Sequence, residues 1–515
     1  MVDIKENYLD IFSSGLVVLA GSILTFFAIY GNPFFRDYVI LFDGGYRIFS
    51  GLKPFVDFAL FPIPISFYIQ AFFDKFFGPN LVAMAFHSII LSSIVSIIFY
   101  FIIKKHFNRF FSILFSIAFY YSFFGIIGFP WYNQAAFFFF LLNFFLIYFD
   151  IEKNFNKNWV LTFSALLAIL SIFSKIEIGL IQFLLFSIYF FMTIKNKKDI
   201  FTKYVLPFSL AFILINQLIR IVSSKEIIWT SGAIFRRIFD TTLSIFTIDQ
   251  LVYSFSFYFL VFIIYFFLSN YRQFTDLNME NKKLFYLIVM LNLFILAITL
   301  VSGQQVQTKI FALPMNLFLC YLFWKNVFSL GKIVSTQKIF NFIAIFFIFM
   351  VILMQFNGIS TYQDSFFKSP TRQAYNIFFL ENTKYIREDF GCYRGVIHEK
   401  KYFDDLKKIR KYIQENNQDF VVMGSYAFLY CDYKIPPPEG LPLWLHEGLT
   451  FNKEKNLEDI EKYFSRTKPK LVIEQIYASN ETREEFGKAL VEMGYEDIDQ
   501  LYSEYSSINI YQLKE

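Results

Sequence analysis

Long apolar runs alternate with short polar breaks over the first 356 residues, and then the pattern changes. Residues 79–103 contain no Asp, Glu, Lys or Arg. As a helix that segment reaches about 37 Å, enough to cross a bilayer with some tilt. Similar runs predict about eleven spans, near residues 11–30, 80–103, 110–128, 134–149, 159–173, 178–194, 204–222, 247–268, 284–301, 310–327 and 338–356. The first run lacks a preceding basic stretch and a small-residue cleavage pattern, so it reads as a retained helix rather than a signal peptide.

Alternating these spans from a cytoplasmic N-terminus sorts the breaks into two kinds. One side receives "KKHFNR" (104–109), "DIEKNFNKN" (150–158), "KNKKD" (195–199), "SNYRQFTDLNMENKK" (269–283) and "SLGKIVSTQK" (329–338). The other receives residues 31–79, "PWYN" (130–133), "SKIE" (174–177), the segment around "SGAIFRRIFD" (231–240) and "SGQQVQTK" (302–309). The first set is short and dense in Lys and Arg, as cytoplasmic loops are. The expected topology has the N-terminus inside and the C-terminus outside.

After residue 356 the periodicities become those of a soluble unit. "DFVVMGS" (419–425) and "KLVIEQ" (470–475) read as buried strands, and 456–467 and 481–494 carry apolar residues at helical spacing. Strand, helix, strand, helix predicts a small α/β domain over 357–515, with "YKIPPPEGLPLW" (433–444) as a Pro-rich surface loop. Cys392 and Cys431 lie in this tail, and spacing leaves open whether they pair or stay as thiols. The expected fold is therefore a polytopic α-helical membrane domain (1–356) followed by an extracytoplasmic α/β domain (357–515).

Composition agrees with that division. The 515 residues are 56% hydrophobic, 22% aromatic and only 17% charged, with 76 Phe. A soluble chain carries nearer a quarter charged residues. A net charge of +5 without a Lys/Arg block excludes nucleic acid as an expected partner. The four histidines (His87, His106, His398, His446) form no metal-ligand spacing, and there is no CxxC, GxGxxG or Walker-type loop, so these motifs give no sign of a metal or cofactor and none is expected.

The first external loop, 31–79, is unusual for its charges: Arg36, Asp37, Asp43, Arg47, Lys53 and Asp57. Val39, Phe42, Tyr46 and Phe49 recur at helical spacing and predict a helix in the membrane interface, with Asp43 on a solvated face. Gly51 and Pro54 end it, and 66–78 predicts a second interfacial helix. Asp37, Gly51 and then Lys53-Pro54-Phe55-x-Asp57-Phe58, before a Pro-rich segment, resemble the first external loop of GT-C glycosyltransferases. The likeness is to the branch using polyprenyl-phosphate sugars, which includes protein O-mannosyltransferases and lipid A aminoarabinose transferases. It is specific over about residues 30–80 and topological elsewhere.

That resemblance implies an inverting transfer from a polyprenyl-phosphate-linked sugar to an acceptor hydroxyl at the outer face. Asp37 matches the family's catalytic base and Asp57 its second acidic position, with a role in orienting the acceptor. The leaving phosphate needs fixed cations, for which Lys175, Arg236, Arg237 and Lys309 are the external candidates. Each has a plainer reading: Asp37 as a helix cap, Asp57 as turn chemistry, the Arg pair as a headgroup anchor, Lys175 as a partner for Glu177. The acceptor, whether glycolipid, polysaccharide or protein, is not encoded. Competing classes are a lipid or glycan transporter or flippase, and an envelope polysaccharide polymerase or ligase. The first would place ionisable residues inside its spans; the second would carry its functional loop late in the chain.

Overall fold

The computed structural model describes residues 2–30, 36–58, 64–125, 129–153, 157–222, 278–302, 312–327, 385–424, 426–441, 453–475, 480–502 and 507–514. The molecule is mostly helical, with a small sheet region in its C-terminal part. The helices are α1 (Val2–Ala28), α2 (Arg36–Phe49), α3 (Pro64–Phe77), α4 (Leu81–Lys104), α5 (Arg109–Tyr120), α6 (Tyr132–Lys153), α7 (Lys157–Ile172) and α8 (Ile176–Thr193). Then α9 (Lys197–Ile200) passes through a π-helical turn into α10 (Leu206–Val222), and α11 (Met279–Ser302) and α12 (Ala312–Val327) follow. Two of the expected spans, 247–268 and 338–356, lie outside the described residues.

Among the described residues five helices are long and apolar enough to cross a membrane: Leu81–Lys104, Tyr132–Lys153, Ile176–Thr193, Lys197–Leu218 and Met279–Ile298. Arg109–Phe123 and Asn158–Ile172 are shorter apolar helices. Their outward faces are greasy, as Leu184, Ile188 and Phe191 on α8 and Leu210, Leu214 and Leu218 on α10 are exposed. Water would penalise such faces and lipid does not. Between the helices a continuous aromatic core forms, including Phe140 stacked on Phe294 at 3.6 Å.

Contacts between helix ends divide this body into two faces. At one, Asp10 of α1 binds Lys104 of α4 and Arg109 of α5, and Lys105 reaches Glu152 of α6 at 2.6 Å. Lys203, before α10, binds Asn158 at the start of α7. At the other face lie the α2–α3 hairpin, the starts of α4 and α6, and the α7–α8 turn, where Ile65 N–H meets the Phe173 carbonyl at 3.3 Å. Alternating spans require this sorting of ends.

The tail begins, among the described residues, with a hairpin of β1 (Tyr385–Phe390) and β2 (Tyr393–Glu399), then α13 (Lys400–Glu415). A four-stranded sheet follows, built from β3 (Phe420–Met423), β4 (Leu471–Glu474), β5 (Tyr495–Tyr502) and β6 (Ser507–Leu513), in the order β3-β4-β6-β5. Only β3 and β4 are parallel, with Phe420 opposite Leu471 and Met423 opposite Glu474. Helices α14 (Phe428–Asp432), α15 (Lys453–Thr467) and α16 (Asn480–Glu492) complete it. Alternation along β3 and β4 buries both sheet faces. Phe420, Val422, Leu471 and Ile473 share a core with α13, while Val421, Met423 and Val472 share one with Ile460, Phe464, Phe486 and Leu490. The two strands and two helices expected from the sequence are present, and the first core runs on into the helical body.

Candidate functional site

The hairpin α2–α3 is built to pack backbone against side chain. Gly44 and Gly45 sit mid-helix in α2, where a Cβ would come within 2.4 Å of the Phe67 ring and of Gln70 Cγ. Helix propensity is sacrificed for this close approach. The helix closes at Gly51, whose φ of +95° suits glycine, with Leu52 N–H on the Arg47 carbonyl at 3.0 Å.

A compact turn follows. Asp57 Oδ2 accepts from Lys53 N–H at 2.7 Å, and Asp57 N–H donates to the Lys53 carbonyl at 2.9 Å. Phe55 sits at a φ of +67°, an uncommon conformation for a bulky residue, held by its N–H on the Phe58 carbonyl and by burial with Leu52, Phe58 and Phe67. Asp57 thus combines turn chemistry with a half-exposed carboxylate. Asp37 lies in the first turn of α2.

Asp43, Arg47 and Asp74 of the hairpin are buried, which corrects the expectation of a solvated Asp43. Asp43 Oδ2 pairs with Arg47 Nε at 3.0 Å, both almost fully inside. Burial raises the Asp43 carboxyl above its ordinary range, and the Arg47 charge and hydrogen bond oppose the shift. On α3, Gln70 donates to Asp74 Oδ1 at 2.8 Å, and its Oε1 lies 3.0 Å from His87 Nδ1 of α4, within hydrogen-bond distance. Asp74 Oδ2 and His87 Nε2 are buried without hydrogen-bond partners among the described residues. Burial pushes the Asp74 carboxyl well up, with the Gln70 hydrogen bond opposing. Meanwhile Tyr68, Phe72 and Phe76, one turn apart, are exposed. With polar groups inside and aromatics outside, α3 has the polarity of a lipid-facing interfacial helix.

The tail grips this hairpin. Tyr46 donates its hydroxyl to the Ile435 carbonyl at 3.1 Å, Arg47 Nη1 donates to the Pro438 carbonyl at 3.2 Å, and Gly440 N–H donates to the Asp57 carbonyl at 2.7 Å. The Tyr393 ring meets Phe42 edge-on at 4.9 Å. Cys392 and Cys431 form a disulfide, with Cα atoms 6.1 Å apart, and Cys431 Sγ lies 3.4 Å from the Pro79 carbonyl. The pairing left open by the sequence is therefore made, beside the start of α4.

Of the phosphate-binding candidates, Lys175 stands at this face. It precedes α8, nearly buried, its ammonium 5.3 Å from the centre of the Tyr132 ring. Tyr132 in turn packs on the Leu52–Phe55–Phe58 cluster, so Lys175 neighbours the turn that carries Asp57. Beyond it, Glu177 Oε2 and the whole Gln182 amide are buried without hydrogen-bond partners among the described residues. Arg236, Arg237 and Lys309 lie outside the described residues. Among the described residues no three His, Cys, Asp or Glu side chains converge to hold a metal ion. Sequence reasoning missed the roles of Arg47, Gln70, Asp74 and His87. The signal was the spacing of four in Asp43/Arg47 and Gln70/Asp74, which puts each pair on one helix face. No protein-family model and no curated protein matches the chain.

Proposed function

We propose that this protein is a membrane glycosyltransferase of GT-C architecture, with about eleven spans, moving a sugar from a polyprenyl-phosphate donor to an acceptor hydroxyl. The carrying observation is the first-loop turn. Asp57, buttressed by Lys53 N–H and Gly440 N–H, stands with the cation Lys175 at the face that also holds the N-terminal hairpin. Asp37, in the first turn of α2, takes the proton from the acceptor hydroxyl as its oxygen attacks the anomeric carbon. The bond from that carbon to the phosphate oxygen breaks, the anomer inverts and polyprenyl phosphate leaves with the electron pair. Asp57 orients the acceptor. Lys175, Arg236, Arg237 and Lys309 are the cations proposed to offset charge developing on the phosphate.

The reaction face is proposed to be extracytoplasmic. Two features support this orientation: the opposite face carries the Lys/Arg-dense breaks, and the tail on the reaction face carries a disulfide, which persists in oxidising surroundings. A panel of lipid-linked sugars offered to the purified protein, with released polyprenyl phosphate measured, tests the reading. Asp37→Asn is expected to lower turnover by about 10²–10⁴-fold while the protein stays folded. Wild-type turnover in this variant would remove Asp37 from its role.

A further inference from the structure

Arg47 touches three separate segments at once. Its Nε holds Asp43 on its own helix, its Nη1 holds the Pro438 carbonyl of the tail, and its guanidinium carbon lies 5.3 Å from the centre of the Phe58 ring. A planar fork with several donors can serve a carboxylate and a carbonyl together, which a single ammonium cannot do with the same geometry. Two residues past Pro438, Gly440 donates its N–H to Asp57, from a φ of +91° that glycine adopts without strain. The tail segment 435–440 is therefore fastened at Tyr46, at Arg47 and at Asp57 in turn.

We infer that Arg47 is a positioning residue that fastens the 435–440 strap to α2, so that the tail domain sets where Asp57 stands. The assignment of a task to Asp57 rests on the glycosyltransferase reading; the coupling of strap and turn does not. Without Arg47 the strap keeps its Tyr46 contact but loses the tie nearest Gly440, and the turn loses the cation lying over Phe58.

Amide exchange of the full-length protein in micelles reads this directly, because the Lys53 and Gly440 amides are protected by the two Asp57 oxygens named above. Arg47→Gln alone leaves the Asp43 carboxyl buried without its countercharge, so the paired change Asp43→Asn with Arg47→Gln is the working variant. It keeps a hydrogen-bonded pair and removes both charges. Exchange at Lys53 and Gly440 is expected to quicken together by about tenfold, the scale of one lost hydrogen bond to a charged group, while β3, β4 and α4 keep their rates. Unchanged exchange at both amides overturns the inference. So does acceleration spread equally over α2 and α3, which marks Arg47 as packing alone. Turnover supplies a second arm: the acceptor KM is expected to rise with the donor KM unchanged, and a rise in the donor KM alone counts against a role through Asp57. A wild-type protein inactive on every lipid-linked sugar would sink the glycosyltransferase reading and leave the exchange result to decide on Arg47.

Discussion

At the basic end of the helical body, Lys105 meets Glu152 with about a third of each side chain in solvent, and Asp10 shares Lys104 and Arg109 at partly open positions. At the loop end, Asp43 meets Arg47 with 2% and 3% of the side chains exposed. Water can replace a partner lost at the first end and cannot at the second. Charges at the basic end suit anchoring and tolerate movement, whereas those at the loop end fix register, because an error there strands a charge out of water. The same contrast sets α3 against α8. Both expose apolar faces and hide a carboxyl, Asp74 beneath α3 and Glu177 at the start of α8, but Asp74 is fully enclosed whereas Glu177 keeps a small exposed part.

The contrast breaks most visibly at Arg47. Arg47→Ala is expected to destabilise the hairpin by about 3–5 kcal/mol, read by thermal unfolding in micelles, since it leaves Asp43 buried and unpaired. A loss below about 1 kcal/mol would place this pair with the surface ones. Cys392→Ser is expected to cost the tail about 2–4 kcal/mol and to raise proteolysis there while the spans stay folded.

The Asp74 carboxyl gives a pH signature. Its folded pKa lies above the ordinary value, so the folded hairpin keeps a proton that the unfolded chain releases. The contribution of this carboxyl to stability is then fully present at low pH and falls as pH rises from about 3.8 through the raised pKa, by about 1.4 kcal/mol per unit in that window. Asp43 titrates in the same direction. Asp74→Asn is expected to remove one proton's worth of that slope in a series of melts, and an unaltered slope would mean that the carboxyl is ionised. The smallest effect belongs to the basic end, where Lys105→Ala is expected to change stability by at most about 1 kcal/mol, and less in high salt.

Much of the fold was legible because apolar runs longer than a soluble core helix need little context. The runs at 80–103, 134–149, 178–194, 204–222 and 284–301 each fall within or overlap a helix able to cross a membrane. Strands β3 and β4 were visible as unbroken apolar runs. Strands β5 and β6 were not, because "YEDIDQLY" carries four acidic or amide residues and is held by antiparallel pairing from Tyr495–Leu513 to Tyr502–Ser507. Of the residues proposed for the site, Asp37 and Asp57 come from the family resemblance and Lys175 from its expected external position, and Asp57 and Lys175 stand at one face of the helical body. Burial of Asp43 could not be read from pattern, since a charge beside a glycine pair on a short helix reads as solvent-facing until its cover is known. That cover is Tyr393 and residues 435–440, which no local pattern connects to residue 43.

The grip of the tail on α2 also has a timetable. Tyr46 and Tyr430 touch across 384 positions, so at about 5–20 residues per second the α2–α3 hairpin waits roughly 20–80 s for its clasp while the ribosome works. A chain arrested in that interval would leave a well-inserted bundle with its early loop ungathered, so the α2–α3 hairpin is completed only after the tail segment has been made.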